Sequence, residues 1–143
     1  MPNIYAQMRF AKDVPRRATD HLPRWLHPVV ERDESFRFTA LSLLDRARTL
    51  MTEAETKPPA DPAVAALTAL APMHLVLTAV IAAKGYRSLG MRSTLDLVGI
   101  LYEDGPLAAL AEKYAGVQAL RIQGKDALAA ARELVDAAGK ALT

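Results

Sequence analysis

Few residues in this chain have the types and spacing for catalysis. His21, His27 and His74 are its three histidines, and there is no cysteine. Thiolate catalysis, disulfides and cysteine-based metal sites are therefore excluded. No histidine stands three residues after a glutamate, the spacing that carboxylate-bridged metal sites use in helical bundles. The chain also lacks His-Glu-x-x-His, a phosphate-binding Gly-Lys-Ser/Thr loop and a Gly-x-Ser-x-Gly elbow. His74 sits in an apolar segment and reads as a core or edge histidine bonded to a carbonyl. Glu31, Asp33 and Glu34 cluster where a helix is expected to start, and acids there complement the helix dipole. No catalytic residue, metal ligand or cofactor is predicted.

One stretch remains, "IAAKGYRSLGMRSTLDL" from Ile81 to Leu97, where Tyr86, Arg87 and Arg92 crowd a short connector. Two guanidinium groups beside an exposed helix start could clamp a phosphate, because each pairs two oxygens at once. A joint between helices explains the same residues. Gly85 suits the left-handed position that ends a helix, Arg87 would meet the last carbonyls, and Ser93 with Asp96 resembles a capping pair. The stop and start signals favour the joint.

The elements around it are helical. Ala and Leu dominate a chain that is 51% hydrophobic, 24% charged and only 6% aromatic, a composition that folds and favours helix over strand. Its 143 residues suffice for one domain with a substantial core. Residues 1–34 form an irregular arm, punctuated by Pro2, Pro15, Pro23 and Pro28, that Trp25, Leu26, Val29 and Val30 should dock on the bundle. Arg16, Arg17 and Arg24 would be its contacts if the arm bound nucleic acid; a covering segment is the preferred reading.

Residues 35–143 form the helical bundle domain. A first helix is predicted from Ser35 to Glu55, with Phe36, Ala40, Leu44, Ala47, Met51 and Ala54 on its apolar stripe. Asp61 and Pro62 open a second helix reaching Lys84, apolar nearly all round and so central, which Pro72 should kink or split. A short third helix follows Ser93. Pro106 opens a fourth, with Asp104 as a cap, which either stops at Gly116 or continues. A last stripe, including Leu120, Gly124, Leu128, Ala131 and Val135, runs to the C-terminus. The predicted fold is all-α, an up-and-down bundle of four or five helices.

The formal net charge of +2 is too small to demand a polyanionic partner. The most apolar run, Leu75 to Ala83, is about half the roughly 20 residues of a membrane span. The first ten residues lack a signal-peptide core. These features predict a soluble cytoplasmic protein without a membrane partner. Two-fold pairing is the commonest way for such a chain to cover further apolar surface, so a homodimer or a protein partner is expected, with nucleic acid as the other candidate.

Three segments in order, "LSLLDRARTLMTEAE", "LAPMHLVLTAVIAAKGYRS" and "YAGVQALRIQGKDALAAA", resemble the HEPN family (higher eukaryote and prokaryote nucleotide-binding domains) over roughly residues 35–143. The resemblance implies a bundle that acts in dimers. Active members carry an Arg followed four to six residues later by a His, forming an RNA-cleaving site. Arg121 is followed by no His, nor are Arg87 and Arg92. The resemblance thus implies a non-catalytic, binding member with Arg121 among its nucleic-acid candidates. A second stretch, "LAALAEKYAGVQALRIQG" within residues 107–124, is similar to helix-turn-helix DNA binders. There Ala111, Gly116 and Ile122 would fill the pattern, and Gln118, Arg121 and Gln123 would face base edges. The expected function is a non-enzymatic helical interaction module, with a DNA-binding regulator as the alternative.

Overall fold

The computed structural model describes residues 22–143. Arg16, Arg17 and His21, and the prolines before them, lie outside the described residues.

Among the described residues, five α-helices form an all-α bundle. They are α1 (Ala40–Thr56), α2 (Pro62–Ala82), α3 (Met91–Leu101), α4 (Leu107–Gln118) and α5 (Gly124–Leu142). Two short 3₁₀ helices, Arg24–Val29 and Glu34–Thr39, flank a strand β1 (Val30–Arg32), which pairs with β2 (Tyr86–Ser88). Helix α2 packs against all four other α-helices, most extensively α5 and α1. Ala66, Ala69, Met73, Val76, Leu77 and Val80 carry its side of the core, against Leu44 and Met51 of α1 and Leu134 and Val135 of α5. An apolar helix placed centrally is what its composition predicts.

Local signals account for most boundaries. The Asp61 carboxylate accepts the Ala63 N–H at 2.8 Å, with Pro62 at the first helical position. Gly85 ends α2 at φ +84°, a conformation open to glycine and costly for other residues. Four expectations need correction. The helix predicted from Ser35 begins as 3₁₀, because Asp33 accepts the Ser35 N–H and Thr39 turns back to the Phe36 carbonyl. Phe36 thereby leaves the core stripe. Pro72 does not split α2, which runs unbroken with Pro72 buried inside it. A proline inside a helix costs about 3 kcal/mol, from the lost backbone hydrogen bond and the clash of its ring with the preceding turn, and contacts on several sides of α2 outweigh it. Helix α3 begins at Met91, two residues early, and Ser93 with Asp96 is no capping box: Ser93 Oγ donates to the Gly90 carbonyl and Asp96 accepts from Arg92. Asp104 makes no cap bond to α4.

The arm meets the bundle through that sheet. Val30 pairs with Ser88, Glu31 with Arg87 and Arg32 with Tyr86, antiparallel. Leu22, Leu26 and Val30 are buried as anchors, whereas Trp25, expected to dock, is 59% exposed.

Helix α2 is also long and apolar enough, by length and composition, to cross a membrane; the run Leu75–Ala83 is only part of it. Of its most apolar window, 56% is buried inside the bundle, as befits a core helix.

Candidate functional site

The connector between α2 and α3 holds Tyr86 and Arg87, and Arg92 follows in the first turn of α3. Residues 86–88 of this connector form the strand β2, so Tyr86 points into the core and Arg87 out of it. Tyr86 is buried, with the Arg32 guanidinium 5.1 Å from its ring centre. Burial pushes its phenol up from the ordinary tyrosine value, with Arg32 opposing. Arg87 donates from Nε and Nη2 to Glu31 Oε1 at 2.9 and 2.6 Å, and its guanidinium lies 4.7 Å from the Phe36 ring centre. Arg92 donates to Glu112 at 2.8 Å and to Asp96 at 3.0 Å. The Glu112 bond first, then that to Asp96, holds the Arg92 guanidinium more firmly protonated than usual.

The structure thus places Tyr86 and Arg87 in the connector strand and Arg92 in the first turn of α3, and gives each arginine its own carboxylates. A phosphate would have to displace Glu31 in one case and Glu112 with Asp96 in the other. The acidic cluster is likewise occupied: Glu31 holds Arg87, Asp33 caps the 3₁₀ turn, and Glu34 pairs with Arg32 and Arg37. The Ser35 backbone N–H is the main reason the Asp33 carboxyl lies below its usual range.

Gln118, Arg121 and Gln123 lie at the other basic connector, between α4 and α5. Gly116 is inside α4, and Ile122 packs so closely on it that a Cβ would meet Ile122 Cδ1 at 2.9 Å. The chain turns instead at Leu120, φ +60°, while the Arg121 and Ile122 N–H groups close on the Gly116 carbonyl at 2.8 and 3.1 Å. Gln118 is the last residue of α4, and Arg121 and Gln123 sit in the connector, so no recognition helix carries all three. Arg121 is exposed and has no carboxylate partner among the described residues. Gln123 donates to the Leu120 carbonyl at 2.7 Å.

Two features that residue types did not single out stand apart from these connectors. The first is a cavity of about 800 Å³ between the end of α3, the loop to α4 and the last turns of α5. Its walls are apolar: Ile100, Leu101, Leu107, Leu110 and Ala137. Its rim carries four carboxylates, Glu103, Asp104, Glu133 and Asp136, against the single ammonium of Lys140. Glu133 is bonded to Lys113 and Asp136 to Arg132, each at 3.1 Å. Tyr102 ties the loop down, its hydroxyl donating to the Val80 carbonyl at 2.6 Å. Burial raises that phenol from its ordinary value. In sequence, "EDGP" places two acids on a turn, the one signal that could have pointed here.

The second is an open face on α2. Val64 and Leu67 are 47% and 60% exposed, and Ala71 and His74 continue outward at helical spacing. His74 is therefore on this open face and not in the core. Among the described residues no group of three His, Asp or Glu side chains is placed to hold a metal ion.

No protein-family model matches the chain, and no characterised protein or solved structure matches it significantly.

Proposed function

We propose that this protein is a non-enzymatic helical interaction module that pairs with a second copy of itself through the open face of α2. The observation that carries the reading is the stripe Val64, Leu67, Ala71 and His74 on the most apolar helix of the bundle. None of these residues carries a fixed charge, so two copies of the stripe can meet across a two-fold axis without repulsion, each presenting the same patch. The candidate nucleic-acid residues support a binding role less well, since Arg87 and Arg92 are committed to carboxylates. The HEPN resemblance is compatible with such a module, because a member lacking the histidine would bind and not cleave.

Sedimentation equilibrium tests the reading. Twice the chain mass is expected at high micromolar concentration, and Leu67→Glu, at an exposed position, should return the monomer with an unchanged helical circular dichroism spectrum. A wild-type monomer at that concentration overturns it.

A further inference from the structure

We propose that the cavity between α3, α4 and α5 is a binding site for a small hydrophobic organic cation, a molecule with an apolar body and an ammonium or comparable positive centre. Three observations carry this. The volume, about 800 Å³, lies within the range of pockets that enclose drug-sized ligands. The walls, Ile100, Leu101, Leu107, Leu110 and Ala137, offer no charge, so they reward an apolar body. The rim sets the sign of the occupant: four carboxylates face one lysine.

Two of those carboxylates are already engaged. Glu133 answers Lys113, and Asp136 shares Arg132 with Glu55. Glu103 and Asp104, on the exposed α3–α4 loop, have no cationic partner among the described residues. They are the groups a ligand cation would meet, at the mouth, while its body lies against Leu110 and Ala137. The site is preformed. The Tyr102 hydroxyl anchors the loop to Val80 of α2, and the Tyr102 and Gly105 N–H groups close turns on Val98 and Tyr102 carbonyls at 3.0 and 3.3 Å. One side of the Tyr102 ring already has Lys84 5.3 Å from its centre, so the charge recognition falls to the carboxylates and not to the ring. This site is separate from the α2 stripe, and its test does not depend on pairing.

A pair of probes with one shape and opposite charge decides it. Isothermal titration calorimetry of the full chain with tetraphenylphosphonium should give one site per chain, with tetraphenylborate bound at least about tenfold more weakly. Glu103→Gln combined with Asp104→Asn, both exposed, should weaken the phosphonium about tenfold and bring the two probes together. Ala141→Trp, at an exposed position on the wall, should abolish binding by filling the space. Equal binding of the two probes to the wild type overturns the proposal, as does binding untouched by Ala141→Trp or no binding of the phosphonium at all.

Discussion

The two basic connectors differ in how the chain turns and in what becomes of their charges. Between α2 and α3, a glycine takes the left-handed position, and a strand bonded to the N-terminal arm follows it. Between α4 and α5, the left-handed residue is Leu120, while Gly116 is spent four residues earlier as a close contact for Ile122. At the first connector Arg87, and Arg92 just beyond it in α3, are consumed in ion pairs; the second leaves Arg121 exposed. A glycine in this sequence can thus mark a turn, as at Gly85, or a close approach, as at Gly116. An arginine marks a binding site only where no carboxylate reaches it first.

The largest effect expected from breaking this contrast is at Gly85. Gly85→Ala places a Cβ at positive φ and against the Arg32 guanidinium, whose Nη1 lies 3.4 Å from the Gly85 carbonyl oxygen. The backbone conformation alone costs about 1–2 kcal/mol, and moving Arg32 brings the loss to about 2 kcal/mol. Urea unfolding with an unchanged slope should show it as a lower midpoint. A change within experimental error would mean the turn does not need glycine.

The opposite sign is expected at the other connector. Leu120→Gly relieves the left-handed strain of a residue that is 40% exposed and lies outside the core cluster. A gain of about 1 kcal/mol should raise the thermal midpoint. Destabilisation instead would show that the Leu120 side chain holds the α4–α5 joint.

The smallest effects sharpen the ion-pair half of the contrast. Arg87→Ala and Arg92→Ala should each cost about 0.5 kcal/mol, the usual worth of exposed pairs, and less at high salt. Binding of duplex DNA, if measured across a salt series, should be indifferent to both. A steep loss of salt-sensitive binding in the double variant would make this connector a phosphate site after all, since each phosphate contact adds to the salt slope.

What the sequence by itself determined is short in range. The 3.6-residue stripes marked the α-helices, Asp61–Pro62 set the start of α2, and Gly85 set its end, because caps, fixed proline φ and glycine freedom act within one turn of the chain. The central position of α2 was legible too, from a helix with no polar face. Tertiary structure alone decided the rest. Arg87 meets Glu31 fifty-six positions away and Arg132 meets Glu55 seventy-seven positions away, partnerships that no local pattern encodes. Packing kept α2 whole through Pro72 and left Trp25 outside. The cavity is the clearest case: its walls are ordinary leucine, isoleucine and alanine, the same residues that fill the core. Whether such residues enclose a core or line a space depends on how closely α3, α4 and α5 approach, a distance set by the whole bundle and written in none of its segments.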